Sequence, residues 1–252
     1  MDTGARNAPC NMALEKVLLA SCAKGAGPNT LHFLEFYPCV LLGYGQSVED
    51  EAEAEFCRKN GIEINRRISG GGCIYMDGGV LGWEIIAKKN TPGLPGNLED
   101  MYRRLCGGLA AALGEFGIHA SFRPPNDVEA GGGKISGTGG TELDDSLIFH
   151  GSLLAGFDAG MMEKALKNPD KKNKGAQGSI PAWRTVSIKD LLGYAPPMDD
   201  LKKSLAGAFA GIFGVEFERG GLTAEEEKRL NEELPLFQSD EWVYERRGSG
   251  LL

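Results

Sequence analysis

The sequence predicts an α+β fold built on a mixed, largely antiparallel β-sheet that is flanked by helices. Short apolar runs rich in β-favouring residues occur in groups, and segments with apolar residues at helical spacing lie between the groups. The regular strand–helix alternation of a doubly wound protein is absent from the sequence. With 252 residues, 42% of them hydrophobic, the chain is long enough to bury one sizeable core. We therefore predict one globular domain across residues 1–252.

The N-terminal elements are predicted from caps and apolar spacing. Asn11 is the predicted cap of a first helix, because apolar side chains follow it at helical spacing. Two neighbouring strands are predicted at 31–36 and 39–44. A second helix is predicted at 49–60, and Gly61 stands where a left-handed residue commonly ends a helix.

Glycine-rich stretches divide the middle of the sequence. Residues 77–79 read Asp-Gly-Gly, which predicts a hairpin that turns the run 73–76 back into the run 80–87. Residues 124–140 are rich in glycine and begin with two prolines, so we expect a long mobile loop around Lys134.

The C-terminal half alternates apolar and strongly polar segments. A strand is predicted at 147–157, where apolar residues resume after the glycine-rich stretch. The lysine-rich stretch 168–181 has no apolar period, and we interpret it as a flexible segment that could act as a lid. Polar caps and apolar faces predict three further helices, at 97–116, 201–213 and 223–234.

Charge and composition exclude several classes of protein. The 27 Lys and Arg residues against 35 Asp and Glu residues give a net charge of −8, which argues against nonspecific binding to nucleic acid or to an anionic membrane. No apolar run reaches the ~18 residues of a membrane helix and the N-terminus lacks a signal core, so a cytoplasmic protein is expected. The six cysteines form no CxxC pair and do not cluster with the three histidines, which predicts reduced thiols and no structural zinc.

Two glycine-rich segments each carry a cation, and together they predict an anion site. They are RRISGGG at 66–72 and GGGKISGTGG at 131–140. Glycine lets backbone N–H groups approach phosphate or carboxylate oxygens, and a nearby Arg or Lys adds a charge-assisted contact. Neither segment has the pattern of a P-loop or of a dinucleotide-binding turn.

Five separated segments carry a resemblance to a known family, in the order in which that family has them. They are NMALEKVLL, RRISGGGCIYMDGGVL, NDVEAGGGKISGTGG, HGSLL, and LTAEEEKRLNEEL followed by SDEW. The chain resembles the lipoate–protein ligase A family within the biotin and lipoate ligase superfamily. The resemblance implies a catalytic domain related to biotin protein ligases and class II synthetases, spanning residues 1–252 without the accessory C-terminal domain that many members carry.

The resemblance also implies roles for individual residues. Lys134 matches the lysine that holds the acyl carboxylate and the α-phosphate, which suits a fixed ammonium facing developing negative charge. Asp127 matches the acidic residue near ATP and is the expected Mg²⁺ ligand. The other residues expected around lipoate and the nucleotide are Arg67, Gly70, Gly71, Gly72, Asp77, Asn126, Gly137, His150 and Gly151.

The implied reaction has two steps. Lipoate reacts with ATP in the presence of Mg²⁺ to give lipoyl-AMP, and a lysine of a lipoyl carrier protein then takes the lipoyl group. A separate accessory subunit is an expected partner, whereas nucleic acid and membrane are not. The basic residues at 171–174 are one candidate contact for an acidic carrier, and a solvated loop is the other interpretation.

Three alternatives stay open at this point. Octanoyl or lipoyl transferases of the family use a cysteine thioester, but residues 107–252 contain no cysteine. Cys73 stands where the family usually has Ala, and Met76 where it has His; Cys73 could serve as a nucleophile or be a small buried thiol. A biotin ligase is the second alternative. The third is a noncatalytic subunit that binds a lipoyl carrier.

Overall fold

The computed structural model describes residues 1–167 and 185–245, and it confirms the α+β class. The strands are β1 (Asp2–Arg6), β2 (Thr30–Phe36), β3 (Cys39–Leu42), β4 (Glu63–Arg66), β5 (Ile74–Met76), β6 (Val80–Lys88), β7 (Ala120–Arg123), β8 (Asp127–Ala130), β9 (Gly133–Leu143) and β10 (Ser146–Leu154). The helices are α1 (Ala8–Ala23), α2 (Val48–Glu51), α3 (Ala54–Lys59), α4 (Leu98–Gly114), α5 (Ala159–Ala165), α6 (Ile188–Leu192), α7 (Met198–Phe213) and α8 (Ala224–Phe237), followed by a π-helical turn (Glu241–Glu245).

Two sheets form the framework. The larger has seven strands in the order β1-β2-β6-β10-β9-β8-β7, and only its β1–β2 pair is parallel. The smaller has the order β4-β3-β5, with β3–β4 parallel and β3–β5 antiparallel. The expected mixed, largely antiparallel arrangement is therefore confirmed.

The two faces of the large sheet bury separate apolar clusters. Side chains of β6 and β10 alternate between the clusters, as successive residues of a strand must. Helices α1 and α8 and the small sheet cover one face, whereas α4 and α7 cover the other.

The first helix begins one turn earlier than expected. Asn7 is its N-cap, and the Asn7 side chain accepts a hydrogen bond from the backbone N–H of Cys10 at 3.0 Å. Asn11 is fully buried inside the helix, where its side-chain amide donates to the backbone oxygen of Glu35 at 2.9 Å. The predicted cap was wrong because a polar residue near a helix start can also satisfy a buried neighbouring strand.

Strand partners were the weakest of the predictions. β2 and β3 do not pair, since β2 belongs to the large sheet and β3 to the small one. The predicted hairpin is also wrong: β5 pairs with β3, and β6 pairs with β2 and β10. Residues 77–79 do form a turn, but this turn connects the two sheets. A local turn signal marks a change of direction and does not identify the partner strand.

The predicted helix at 49–60 is two short helices, α2 and α3. Ala52 separates them in extended conformation (φ −119°, ψ 144°) and pairs with Leu166. Gly61 has a φ of +66°, which confirms it as the left-handed residue that follows the helix.

The predicted mobile loop around Lys134 is wrong, because residues 124–140 contain β8 and much of β9. Glycines in β9 permit close packing against the neighbouring strand: a Cβ on Gly140 would lie 2.5 Å from the backbone oxygen of Ile148.

The predicted helices at 97–116, 201–213 and 223–234 are confirmed as α4, α7 and α8, whereas α5 and α6 were not predicted. Asn97 caps α4 and Thr223 caps α8, each through a side-chain oxygen. The interpretation of 168–181 as a lid, and of 171–174 as a carrier contact, falls outside the described residues. Within the described ranges, no helix combines the length and the apolar character needed to cross a bilayer.

Candidate active site

A cavity of about 800 Å³ opens between the two sheets. Its walls come from α1, the loops around β3 and β5, and strands β6, β8, β9 and β10. It brings together most of the residues expected from the sequence, namely Arg67, Gly70, Gly71, Gly72, Asn126, Asp127, Lys134, Gly137, His150 and Gly151.

Asp77 is the exception, since it does not line this cavity. Its Oδ1 accepts from the N–H of Gly79 at 2.8 Å, and its Oδ2 accepts from the N–H of Asp158 at 2.9 Å. These contacts hold the turn between the sheets, so the structure gives Asp77 a place beside the site and not within it.

Lys134 and Asp127 form an ion pair on the cavity wall. Lys134 Nζ lies 2.6 Å from Asp127 Oδ1, and the two side chains keep 21% and 14% of their surface exposed. Strand pairing explains their meeting, because β8 and β9 are antiparallel neighbours with a register shift between Val128 and Glu129. A charged pair that remains reachable from a cavity can bind an anionic ligand without first being exposed by a conformational change.

Gly137 provides the space in which the Lys134 side chain lies. A Cβ on Gly137 would be 2.6 Å from Lys134 Nζ and 2.7 Å from its Cε, well inside contact distance. Gly137 is also the register partner of Asp127. The glycine therefore lets the ammonium cross its own strand and reach the carboxylate.

Asn126 holds β9 beside β8 through its backbone and its side chain. Its side-chain amide donates to the backbone oxygen of Thr138 at 2.7 Å. The backbone N–H and the hydroxyl of Thr138 both donate to the backbone oxygen of Asn126, at 2.9 and 2.8 Å. Because this contact fixes the residue before Asp127, Asn126 supports the ion pair structurally.

Arg67 holds the first glycine-rich segment in place. Its guanidinium donates to the backbone oxygens of Leu41, Gly70 and Gly72 at 2.9–3.1 Å. Burial lowers the pKa of Arg67, and the nearby Glu15 carboxylate opposes that change. The expected contact between Arg67 and a ligand stays a prediction, whereas its role in shaping the loop is evident from these bonds.

The same segment packs tightly against the end of β3. A Cβ on Gly43 would lie 2.0 Å from the backbone oxygen of Gly71, and Gly71 itself has a φ of +97°. Glycine is therefore required at both positions, at one for space and at the other for conformation.

Arg66, the neighbour of Arg67, joins the cavity wall to the last described turn. Its guanidinium is fully buried and donates to the backbone oxygens of Trp242 at 3.0 Å and Val243 at 2.6 Å. It also donates to the backbone oxygens of the loop at 43–46. Gln46 of that loop lines the cavity.

His150 connects the large sheet to the first glycine-rich segment. Its Nε2 lies 2.9 Å from the hydroxyl of Ser69, and its Nδ1 lies 3.1 Å from Glu15 Oε1. Both ring nitrogens are thus engaged. Gly139 faces the ring, where a Cβ would lie 3.4 Å from Nε2.

A row of buried polar side chains crosses the sheet beside His150. His32, Glu84 and His150 are register partners on β2, β6 and β10. His32 Nδ1 lies 3.0 Å from Glu84 Oε2, and its Nε2 lies 2.8 Å from the Thr3 hydroxyl. Burial, helped by the charge of the N-terminal amine, lowers the pKa of His32 to about 3, so this ring is neutral.

Glu15, Glu84 and His150 each place one ligand-type atom within 4.8 Å of the others. This spacing would suit a metal ion or a shared proton. Both His150 nitrogens already have hydrogen-bond partners, which leaves no lone pair free for a metal. Asp127, a carboxylate on the cavity wall, is the better candidate for holding a divalent cation in the described part of the chain.

Sequence reasoning missed Glu15, Ser69, His32 and Glu84. One signal was available, since Glu15 lies among apolar residues in α1 and a carboxylate there demands a partner. The positions of His32 and Glu84 follow only from strand register, which the sequence alone does not fix.

The thiols near the cavity are buried and weakly acidic. Of the six cysteines, all of which lie in the described ranges, only Cys73 lines the cavity, and it is 3% exposed. Burial raises the pKa of Cys73 to about 12, although Arg67 opposes this, and raises that of Cys106 to about 11. A thiolate nucleophile is therefore not prepared here.

Comparisons with known proteins identify the family of the chain. Residues 7–210 match the model of the lipoyl protein ligase A/B catalytic domain family. Octanoyltransferase LipM from Moorella thermoacetica is 27% identical over 266 residues, covering 98% of this chain and 97% of LipM. Lipoate-protein ligase A subunit 1 from Thermoplasma acidophilum is 25% identical over 243 residues, covering 94% of this chain and 92% of that subunit.

A solved structure shares the fold. The chain superposes with a TM-score of 0.85 on a structure described as a bipartite lipoate protein ligase and its E2 lipoyl domain from Thermoplasma acidophilum, with 22% identity, 100% coverage of this chain and 97% of the other. The family match spans most of the chain. The protein is therefore an enzyme of the lipoyl protein ligase A/B catalytic domain family.

Proposed function

We propose that the protein is an ATP-dependent lipoate–protein ligase, which makes an acyl-adenylate and passes the acyl group to a lysine of a lipoyl carrier. The observation that carries the proposal is the Lys134–Asp127 pair on the wall of a cavity in which, among the described residues, the only cysteine is a buried thiol of raised pKa. This arrangement suits charge stabilisation and lacks a prepared nucleophile.

Several groups on the cavity wall suit ATP and Mg²⁺ and so support the proposal. Lys134 offers an ammonium to phosphate oxygens, and the exposed glycines at 70–72 offer backbone on the facing wall. Asp127 supplies the hard oxygen that would hold Mg²⁺. When bound, the ion would neutralise phosphate charge; the remaining steps depend on residues of this chain.

The proposed reaction balances without a protein nucleophile. A carboxylate oxygen of the acid attacks the α-phosphorus of ATP, and the bond to pyrophosphate breaks. The carrier lysine, as a neutral amine, then attacks the acyl carbonyl; AMP leaves and the amine loses its proton. Lys134 would hold the acid and the α-phosphate together during the first step, which is the positioning that phosphoryl and adenylyl transfer chiefly require.

Octanoyl transfer is the second candidate, because LipM of Moorella thermoacetica is similar over nearly its full length. Transfer through a thioester needs a thiolate within reach of the acyl group. Cys73 is the candidate for that role, but it is buried beside Arg67 and its pKa is raised to about 12. We therefore rank this activity below ligation.

A carrier and a second subunit complete the proposal. The Thermoplasma acidophilum relative is named subunit 1, and the solved structure from that organism is described as a bipartite ligase with its E2 lipoyl domain. We propose the same two kinds of partner for this chain: a lipoyl domain that accepts the acyl group and a separate subunit that assists the transfer step.

Mass spectrometry can separate the two reactions. The full chain is incubated with lipoate or octanoate, ATP and Mg²⁺, and in parallel with octanoyl-acyl carrier protein without ATP; acyl-AMP, pyrophosphate and the mass of a purified lipoyl domain are measured. We expect acyl-AMP and pyrophosphate only with ATP. Lys134→Ala should lower both about 100- to 1000-fold, whereas Lys228→Ala, on an exposed part of α8, is the matched control.

Two results would contradict the proposal. Acylation of the lipoyl domain from octanoyl-acyl carrier protein without ATP, lost in Cys73→Ser, would establish the transferase instead. Acyl-AMP formed equally well by Lys134→Ala would remove Lys134 from the chemistry. If acyl-AMP accumulates but the lipoyl domain stays unmodified, the separate subunit is the component to add next.

A further inference from the structure

We propose that Glu84 carries a proton that it donates to Glu15, and that this pair positions His150 and, through Ser69, the glycine-rich segment at the cavity. Glu84 is thus a positioning residue for the site. Neither the motifs nor the strand pattern of the sequence indicated it. The proposal rests on the donors and acceptors of the buried row.

The unpaired oxygens of Glu15 and Glu84 indicate that one of the two carboxyl groups carries a proton. If both carboxyl groups were ionised, Glu15 Oε2 and Glu84 Oε1 would be buried acceptors without a donor. The two carboxyl groups lie close together, since one oxygen of each and a His150 nitrogen lie within 4.8 Å of one another. Two carboxyl groups can hydrogen-bond only through a proton that one of them carries. A proton on Glu84 that is donated to Glu15 would give both unpaired oxygens a partner.

The rest of the row then follows without conflict. The neutral His32 ring donates from Nδ1 to Glu84 Oε2 and accepts at Nε2 from the Thr3 hydroxyl. His150 donates from Nδ1 to Glu15 Oε1, and its Nε2 accepts from the Ser69 hydroxyl. With the proposed proton in place, every polar atom of the row has a partner of the opposite kind, which is the condition for burying such a network.

The groups around Glu84 determine which carboxyl keeps the proton. His32 faces it from β2, His150 from β10 and Glu15 from α1, while Arg67 acts on Glu15. Burial raises the pKa of Glu84 well above its usual range, and the Glu15 charge adds to this. Burial alone would raise the pKa of Glu15, but His150 and the bond from Glu84 lower it.

Loss of the shared proton has a predictable cost for the site. Ionised Glu84 would place a second negative charge beside Glu15, in a cavity that under the proposed function must accept a carboxylate. It would also remove the donor that holds Glu15 against His150. At alkaline pH we therefore expect weaker acid binding and a looser segment at 69–73.

Infrared difference spectroscopy tests the proton directly and needs no substrate. A wild-type minus Glu84→Gln spectrum near neutral pH should show the C=O band of a protonated carboxyl group, and a wild-type minus Glu232→Gln spectrum should not. The Glu232 side chain is exposed on α8, which makes the second variant a control for charge. Absence of the band in the first spectrum overturns the proposal.

Thermal unfolding from about pH 6 to about pH 9 supplies the linked readout. The folded state holds a proton that an unfolded glutamate releases near pH ~4.3, so wild-type stability should fall with rising pH relative to Glu84→Gln, whose amide mimics the protonated acid. Parallel curves for the two proteins overturn the proposal.

Positioning is tested by hydrogen exchange of residues 69–73. Glu84→Leu should speed exchange there about fivefold, as expected for the loss of one supporting hydrogen bond, and Glu84→Gln should restore the slow rate. If Glu84→Leu does not fold, wild type compared with Glu84→Gln at alkaline pH gives the same test. Equal protection in all proteins at all pH values contradicts the positioning role.

One readout rests on the proposed function. The KM for lipoate should rise with pH in wild type more steeply than in Glu84→Gln, with kcat less affected. Because the infrared and unfolding measurements need no substrate, failure of ATP-dependent ligation and failure of the proton assignment give different results. A KM that rises equally in wild type and Glu84→Gln would show that the protonation of Glu84 does not affect binding of the acid.

Discussion

The two glycine-rich segments have similar compositions and different structures. Both carry three consecutive glycines and a nearby cation, and both line one cavity. Residues 66–72 leave β4 and form a loop, whereas residues 131–140 form a turn and then β9. The comparison teaches that a glycine-rich segment allows another group to pack close to its backbone, but does not tell whether that group is a neighbouring strand, a side chain or a ligand.

In the first segment the cation serves the protein. Arg67 is 6% exposed, and its guanidinium donates hydrogen bonds to the backbone oxygens of Leu41, Gly70 and Gly72. In the second segment the cation is available to a ligand. Lys134 is 21% exposed on the cavity wall, and Gly137 leaves room for its ammonium. The four predictions below test this division, from the largest expected effect to the smallest.

Lys134→Ala should lower acyl-adenylate formation about 100- to 1000-fold, because it removes the charge that faces the developing negative charge. Stability should change little, since the side chain is partly exposed and, among the described residues, forms an ion pair with Asp127 alone. Pyrophosphate release and thermal unfolding measure the two effects. An unfolded variant would mean that the second segment, like the first, uses its cation to hold the fold.

Arg67→Lys should show the opposite profile. A lysine ammonium cannot reproduce three divergent bonds to backbone oxygens, so the free energy of unfolding should fall by about 2–4 kcal/mol. Urea denaturation measures it. Wild-type stability combined with a large loss of activity would show that Arg67 contacts ligand directly and would erase the contrast with Lys134.

Gly137→Ala should lower activity about 10- to 100-fold by displacing the Lys134 ammonium, at small cost to stability, because the clash is with the end of a flexible side chain. Gly43→Ala meets backbone at 2.0 Å instead and should destabilise the protein by about 1–3 kcal/mol. Gly107→Ala, with open space around it, controls for an added methyl group. Equal profiles for the first two variants would contradict the distinction.

Lowering the pH should destabilise the buried row of His32, Glu84 and His150, which contacts the first glycine-rich segment through Ser69. The pKa of His32 is lowered to about 3, so between that value and the ~6.5 of an unfolded histidine the unfolded chain binds more protons. Stability should therefore be lost as pH falls through this window, by at most about 1.4 kcal/mol per unit. Unfolding midpoints of wild type and His32→Gln, compared from about pH 7 to about pH 4, measure it. A wild-type curve no steeper than that of the variant would show that His32 does not titrate in this way.

Helices were the most predictable part of the fold. Asn97 and Thr223 were recognised as caps because a short polar side chain precedes an apolar face in both places. Asn11 shows the limit of this rule, since the true cap was one turn earlier and Asn11 serves β2 instead. A cap signal is local, whereas the demand of a buried neighbour is not.

The sequence alone did not predict the strand pairing or the buried row of His32, Glu84 and His150. The run 73–76 and the run 80–87 have a turn between them, yet each finds its partners elsewhere. Strand formation around Lys134 was missed because glycine was interpreted as mobility when it provides room beside a neighbouring strand. Lys134 and Asp127 were recognised through the family motif, while Glu84 needs the register of three strands.

Arg66 has a consequence for synthesis of the protein. Its acceptor on Trp242 lies 176 residues further along the chain, and the same guanidinium holds the loop at 43–46 on the cavity wall. A ribosome adding about 5–20 residues per second needs roughly ten seconds or more to make that stretch. Until then the buried guanidinium lacks these acceptors, so a nascent chain contains Lys134 well before the cavity wall near Arg66 is complete.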